Sequence, residues 1–471
     1  MIDRRRTVKT SGGRLRRCLS RRGSRSQVVG GRSATAESVG PVLAERLRLR
    51  SDVLLTFGSK AMMGLAALGA SIVAARELGP SGRGLMAVAL TLNATLMQVG
   101  HLGLVSANPY FVARNPKAVP QIISNSLAWA AMLGATLIGA VVVVKFAVPD
   151  FLPGLGWPVI LIALLVLPAA LAALLLQGIL LGEGRMIANS VPQAVLSLAT
   201  VAGLIIAATV SDLTVAGAVA VMIAQWVVAT PVYYALAAGW RAKLVAPNLA
   251  LARQMIGYAL RIYAATVLSF LVIRFDLFLV NLYLGARQAG LYSVAAVIAE
   301  GMFLLPVAIG MNIFFRVARG DEEQLTVIVF RSMIVLYGAL CLAAAAVAGP
   351  LIPLLFGEAF VDSVTLFYCL LPGIFSLGML TILSYHFAGR GYPGKATLYW
   401  AFGLGLNVAL NVAFLNDLGT YFAALASSIS YTVIFLLHMH LFVREVGRRA
   451  LRPRVGEVAR AVAAVFGKVG A

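Results

Sequence analysis

Ionisable side chains inside long apolar stretches are the residues of this sequence best suited to do chemistry. They are Lys60, Arg261, Arg274, Asp276 and Glu300. A charge at the centre of a membrane helix costs about 2.5–3.5 kcal/mol on insertion scales, so it normally faces a cavity or a partner. Lys60, Arg274 and Arg261 are therefore candidate ligands for an anionic group. Asp276 and Glu300 are candidate sites for a proton or a cation.

Lys60 belongs to a helix face that is made of small side chains. At 100° per residue, Thr56, Gly64, Ala67 and Ser71 fall on the same face as Lys60. Such a face either leaves room for a ligand beside the lysine or lets another helix approach while the lysine snorkels. The sequence leaves both interpretations open.

Arg274 and Asp276 point to different sides of their helix. They are two residues apart, which is about 200° around a helix, so they cannot pair with each other. One side should face a cavity and the other a neighbouring helix, and the sequence leaves open which. Glu300 is either a proton or cation site or the partner of a basic residue on another helix. Arg261 lies near the predicted cytoplasmic end of its helix, where it either binds a ligand or snorkels.

Enzyme and metal motifs in the sequence are incomplete. Residues 389–396 (GRGYPGKA) nearly match a phosphate-binding loop, but Ala396 replaces the Ser or Thr that holds magnesium. His438 and His440 are two residues apart and point to opposite sides of a helix, which makes them poor metal partners. The three cysteines form neither a CxxC motif nor a disulfide framework. We therefore predict no catalytic residue, no metal site and no cofactor.

The composition of the chain requires a membrane. Of the 471 residues, 60% are hydrophobic and 12% are charged, and the mean hydropathy is +0.90. Average soluble domains carry about 25% charged residues, so a water-soluble fold is excluded. Apolar stretches of spanning length predict twelve membrane helices. They are residues 52–75, 85–112, 119–146, 157–181, 187–210, 214–238, 256–282, 289–315, 325–348, 363–388, 396–416 and 419–442.

Basic residues are concentrated at the two ends of the chain. Residues 1–50 carry a net charge of +11 and residues 443–471 a net charge of +5, out of +21 in total. Alternate connections hold ten and four Lys or Arg residues, so both tails are expected in the cytoplasm. We expect the tails to attract anionic lipid and not nucleic acid, because they lack interleaved aromatic residues and a binding motif. The four basic residues in outer connections are Arg76, Arg83, Lys145 and Arg287.

An internal repeat predicts two halves. Residues 78–85 (LGPSGRGL) align with residues 284–291 (LGARQAGL) at an offset of 206, and residues 182–185 align with residues 389–392 at an offset of 207. These matches predict two six-helix lobes related by an axis along the membrane normal, with the substrate site between them. The predicted domains are a disordered basic tail (1–50), an N-terminal lobe (51–240), a cytoplasmic linker (241–255), a C-terminal lobe (256–442) and a second basic cytoplasmic tail (443–471).

Four passages, in chain order, carry a family resemblance. They are residues 75–84 (ARELGPSGRG), residues 274–293, residues 354–360 (LLFGEAF), and residues 389–391 (GRG) followed by Asn407 and Asn411. They resemble passages of the polysaccharide-transport branch of the multidrug/oligosaccharidyl-lipid/polysaccharide (MOP) exporter superfamily. The resemblance covers about residues 52–442. It implies an all-α membrane protein with twelve spans in two lobes that is not an enzyme.

The resemblance also implies a function. It implies a flippase that moves an undecaprenyl-diphosphate-type lipid-linked oligosaccharide across the bacterial inner membrane by alternating access. A diphosphate is anionic, so Lys60, Arg274 and Arg261 would bind it. Asp276 or Glu300 would couple transport to Na⁺ or H⁺. Other membrane proteins of polysaccharide assembly are the implied partners.

Three alternative functions fit the sequence less well. A drug/cation antiporter of the same superfamily is expected to hold a carboxylate in the N-terminal lobe, where the predicted spans have none at mid-span. A peptidoglycan-precursor flippase commonly has extra helices. A membrane glycosyltransferase or polymerase usually needs a sizeable outer loop, and the longest outer connection, around residues 147–157, has roughly ten residues.

Overall fold

The computed structural model describes residues 39–239, 244–318, 323–390 and 393–447. For residues 39–54, 57, 261, 262, 315, 318 and 323–325, it describes the backbone alone. Residues 1–50 and residues 51–471 form two units. Of the first unit, residues 39–50 are described, and they are helical. The second unit contains all the features discussed below.

Every long regular element of the described chain is an α-helix, which satisfies the backbone polar groups that lipid cannot. The helices are α1 (Val39–Gly100), α2 (Leu104–Arg114), α3 (Val119–Ala147), α4 (Trp157–Leu165), α5 (Leu167–Gly182), α6 (Met186–Val210), α7 (Val215–Ala238), α8 (Leu249–Gly301), α9 (Leu304–Ala318), α10 (Glu323–Phe356), α11 (Asp362–Gly389), α12 (Gly394–Leu418) and α13 (Thr420–Val446). Short 3₁₀ helices lie at Pro116–Ala118 and Glu358–Phe360.

Two glycines bend the two longest helices at equivalent points. Gly79 in α1 has φ 63° and ψ −178°, and Gly285 in α8 has φ 83° and ψ 176°. A positive φ favours glycine because it has no Cβ. The two glycines are 206 residues apart, which is the offset of the sequence repeat. We call the segments on either side of these glycines α1a (residues 51–78) and α1b (80–100), and α8a (249–284) and α8b (286–301).

The number of spans is consistent with the twelve predicted stretches. In the part of the chain that is described, ten helices are long and apolar enough to cross a membrane. Two of the ten contain Gly79 or Gly285, so division at these glycines yields twelve segments. The predicted connections around both glycines were too long, because the helix resumes directly after a single bent residue.

Each lobe is built around one buried helix. In the N-terminal lobe, α5 packs against α2, α3 and α7, and in the C-terminal lobe, α11 packs against α8, α9, α10 and α13. Glycines bring the helices close together. A Cβ built on Gly134 would lie 2.7 Å from the ring of Pro168, and one built on Gly373 would lie 2.5 Å from the Cα atom of Ser428. Such small-residue contacts drive helix association in lipid, where there is no hydrophobic effect between helices.

Candidate functional site

The two lobes touch backbone to backbone at the end where Gly79 and Gly285 lie, which we call the kink end. A Cβ built on Gly84 would lie 1.9 Å from the carbonyl oxygen of Ala286, and one built on Gly290 would lie 1.9 Å from that of Pro80. The two contacts are related by the repeat offset of 206, so the repeat axis passes between them. We call this contact the glycine crossing. Any larger residue there would push the lobes apart.

Polar side chains join the lobes beside the glycine crossing. Arg76 of α1a donates from Nε to the Leu355 carbonyl at 2.8 Å and from Nη2 to the Leu354 carbonyl at 2.5 Å. These carbonyls are in the last turn of α10, where they have no partner within the helix and attract cations. Asn281 of α8a donates to the Pro153 carbonyl at 3.0 Å. The kink end is therefore closed by both backbone and side-chain contacts.

A second set of inter-lobe contacts lies far from the kink end. Tyr110 of α2 stacks on Tyr258 of α8a with ring centroids 4.4 Å apart. The Tyr263 hydroxyl donates to the Val99 carbonyl at 2.6 Å. Tyr263 is 22 residues before Gly285, which places these contacts about 33 Å along the helix from the kink. The lobes are therefore joined along the α8a side as well as at the kink end.

Lys60 lies on a face of α1a that is turned towards the other lobe. A Cβ built on Gly64, one helical turn from Lys60, would lie 3.6 Å from Leu304 Cδ1 of α9. Lys60 itself is exposed. No carboxylate of the described residues lies within ion-pair distance of its ammonium group. The small-residue face thus combines helix approach at Gly64 with an accessible cation one turn away.

Arg274 forms an ion pair with Glu300 between α8a and α8b. Arg274 Nη2 lies 2.7 Å from Glu300 Oε2. The two side chains are 34% and 30% exposed, so the pair is open to other ligands on one side. Of the two alternatives for Glu300, the ion pair corresponds to the one that made it the partner of a basic residue on another helix. The roles of both residues in binding and coupling stay predictions.

Asp276 lies on a different side of α8a and is enclosed. It is 1% exposed. Its carboxylate accepts hydrogen bonds from the Tyr292 hydroxyl, from Ser427 Oγ at 2.8 Å and from the Leu277 amide at 2.8 Å. Asp276 therefore faces the inside of the C-terminal lobe, while Arg274 lies on a partly accessible side. A coupling role for Asp276 stays a prediction.

Several predicted features lie outside the described residues. The side chain of Arg261 is among them, although its backbone is part of α8. So are residues 1–38 and 448–471, which hold most of the basic tails, and residues 241–243 of the linker. The proposed contacts of the tails with anionic lipid stay predictions.

Sequence reasoning missed Arg83, which it placed in an outer connection. Because Gly79 alone makes the bend, α1b begins at Pro80 and Arg83 lies inside the helix. Arg83 is 4% exposed, its Nη2 donates to Ser71 Oγ at 3.1 Å, and the charge of Glu300 acts on it. Proline directly after glycine is the signal that was available, because proline favours the first turn of a helix.

The fold defines the class. It is shared with solved transporters of the MOP superfamily. The lipid II flippase MurJ in an inward closed conformation matches with a TM-score of 0.64 and 13% identity, over 88% of this chain and 91% of that chain. An inward-facing multidrug resistance MATE family transporter matches with a TM-score of 0.61 and 17% identity, over 82% of this chain and 94% of that chain. A MOP superfamily transporter from Pyrococcus furiosus matches with a TM-score of 0.59 and 18% identity, over 86% of this chain and 96% of that chain.

The sequence itself shows the family. A family profile described as "Polysaccharide biosynthesis protein" matches residues 49–314, which is more than half of the chain, and the chain belongs to this family. Comparison with curated proteins finds no match. The family and the fold confirm the predicted resemblance to the polysaccharide-transport branch of the MOP superfamily and a multi-pass membrane protein.

Proposed function

We propose that the protein is a flippase that moves a polyprenyl-diphosphate-linked oligosaccharide from the cytoplasmic to the outer leaflet of the bacterial inner membrane. The observation that carries the proposal is an accessible cation between the lobes, Lys60, which has no carboxylate partner among the described residues. The family description, polysaccharide biosynthesis, supports a glycan as cargo. The name of one structural neighbour, lipid II flippase, supports a lipid-linked form.

The diphosphate is the part of the cargo that these side chains would recognise. Lys60 offers a point charge, and Arg274 offers a planar fork that matches two phosphate oxygens. On binding, the diphosphate would replace the carboxylate of Glu300 as the partner of the Arg274 guanidinium. Arg261, on the same helix as Arg274, is the third proposed ligand.

Glu300 and Asp276 are the proposed coupling residues. Once the diphosphate holds Arg274, the carboxylate of Glu300 is released and becomes available to H⁺ or Na⁺. This exchange would link ion binding to cargo binding without any cofactor or chemical step. Asp276 supports α8a from the other side through the Tyr292 and Ser427 hydroxyls.

Alternating access follows from which contacts must break. With both tails in the cytoplasm, the kink end faces outward, and the described state is closed there. Release of cargo to the outer leaflet requires the glycine crossing and the Arg76 hydrogen bonds to separate. Other membrane proteins of polysaccharide assembly would then receive the cargo.

Reconstituted vesicles test this function. The probe is a fluorescent polyprenyl diphosphate sugar, whose flipping is measured by an impermeant quencher. We expect the wild type to flip it and Lys60→Ala and Arg274→Ala each to slow flipping at least about tenfold, because a hydrogen bond to a charged group contributes about 1.5–3 kcal/mol.

The controls are exposed basic residues away from the inter-lobe face. Lys117→Ala and Arg287→Ala should flip the probe at the wild-type rate, since both side chains are exposed outside the candidate site. If all four variants flip the probe like the wild type, the assignment of the cations is wrong. If the wild type fails to flip it, the cargo is wrong.

A further inference from the structure

Arg83 is a buried cation beside the inter-lobe contacts that the proposed function does not use. It is 4% exposed, yet its only described hydrogen-bond partner is a neutral hydroxyl, that of Ser71. Its Nε atom is buried without a hydrogen-bond partner in the described structure. An arginine held this way inside a membrane is costly and is by default a functional residue.

The nearby carboxylate is already engaged. The charge of Glu300 acts on Arg83, but Glu300 forms its ion pair with Arg274 at 2.7 Å. Of these two guanidinium groups, only that of Arg274 forms an ion pair among the described residues, and Arg83 forms none.

The position of Arg83 couples it to opening of the kink end. Arg83 is the residue before Gly84, whose backbone lies against Ala286 of the other lobe. When the glycine crossing separates, Arg83 is among the first side chains that the widening gap uncovers. Its access to a ligand thus depends on the state of the lobes, whereas Lys60 is exposed in the closed state.

The three cations also differ in depth. At 1.5 Å per residue, Lys60 lies about 28 Å from the kink and Arg274 about 16 Å, while Arg83 lies about 6 Å from it. They form a series of positive charges that runs from the far end of the lobes to the kink end.

We propose that Arg83, with Ser71, is a second anion-binding site, which takes the diphosphate from Arg274 after the kink end opens and holds it before release. This inference rests on the proposed flippase function. In this scheme Lys60 and Arg274 bind the diphosphate first, a step that we call loading. Arg83 then holds the diphosphate until the cargo is released. As the diphosphate leaves Arg274, Glu300 re-forms its ion pair with that residue.

The test separates binding from flipping. Binding of farnesyl diphosphate to the purified full-length protein reports loading, and flipping of the fluorescent polyprenyl diphosphate sugar in vesicles reports the whole cycle. We expect Arg83→Gln to bind farnesyl diphosphate within about twofold of the wild type and to flip the probe at least about tenfold more slowly, from loss of a charged hydrogen bond.

Charge and position serve as the controls. Arg83→Lys should restore most of the flipping rate, because it keeps a cation, and Arg287→Gln, an exposed arginine of the equivalent turn, should flip like the wild type. A structural role for Arg83 would instead make the Lys and Gln variants equally slow and would lower their thermal unfolding midpoints together.

Two results would overturn the inference without touching the proposed function. One is a wild type that flips the probe while Arg83→Gln flips it equally fast. The other is an Arg83→Gln variant that loses farnesyl diphosphate binding as fully as Lys60→Ala, since Arg83 would then be a loading residue. A wild type that neither binds nor flips the probes overturns the proposed function itself.

Discussion

At the residue scale, the two carboxylates of α8 are held in different ways. Asp276 is enclosed and accepts three hydrogen bonds, from Tyr292, Ser427 and the Leu277 amide. Glu300 is 30% exposed and is held by one ion pair with Arg274. Asp276 is therefore held inside the C-terminal lobe by several hydrogen bonds, whereas Glu300 is partly accessible and held by a single ion pair.

This difference predicts which of two alanine variants, Asp276→Ala or Glu300→Ala, is the less stable. Asp276→Ala would remove the acceptor that two buried hydroxyls share and leave them only their own contact with each other at 3.4 Å. A buried hydroxyl that loses its acceptor costs about 1–3 kcal/mol. Glu300→Ala removes a partly exposed ion pair, which contributes about 0–1 kcal/mol. We expect Asp276→Ala to lower the thermal unfolding midpoint in detergent clearly more than Glu300→Ala. Equal midpoints would show that the Asp276 cluster is not structural.

Residue types and depth were enough to name most of the residues that make up the candidate site, and their roles stay predictions. Lys60, Arg274 and Glu300 stand out because each is a charge within an apolar stretch. Arg83 was missed because an arginine between two glycines is typical of a turn. The choice between cavity and neighbour for Arg274 depended on helix packing, which a single sequence does not encode locally.

At the scale of elements, the glycine crossing holds the kink end closed. Gly84→Ala adds a Cβ that would lie 1.9 Å from the Ala286 carbonyl oxygen. Real Cβ atoms essentially never approach another heavy atom within 3.0 Å. The lobes must separate to accommodate it, which favours the open state.

Thiol labelling measures this shift. Ser71→Cys, in a chain whose own three cysteines are replaced by Ser, reports access to the buried region behind the crossing. A shift of about 1 kcal/mol towards the open state would raise the labelling rate by an impermeant maleimide roughly fivefold. Gly405→Ala is the matched control, since a Cβ there meets nothing within 4 Å. An unchanged rate in Gly84→Ala would contradict the role of the crossing as a closure.

The elements themselves were largely predictable, and their ends were not. Apolar length located the spans because lipid demands helices of that length. The repeat located the equivalent bends at Gly79 and Gly285. It did not reveal that each bend is one residue long, because a run of Gly, Pro and Ser is equally typical of a longer turn.

At the scale of the whole molecule, the reciprocal contacts of the repeat define the closed state. Gly84 meets Ala286 as Gly290 meets Pro80, while Arg76 and Asn281 each bond a carbonyl of the opposite lobe. The charges do not follow this symmetry: Arg274 and Glu300 belong to the C-terminal lobe, and Lys60 and Arg83 to the N-terminal lobe. An anion between the lobes would therefore contact both, so its arrival and departure can bias their relative position.

Equilibrium binding to the purified protein tests the central claim, that the cations between the lobes recognise a lipid diphosphate. The wild type should bind farnesyl diphosphate more tightly than farnesol, and Lys60→Ala and Arg274→Ala should each weaken diphosphate binding about tenfold or more while leaving farnesol binding unchanged. Equal affinities for the two lipids, with neither substitution altering them, would contradict the account.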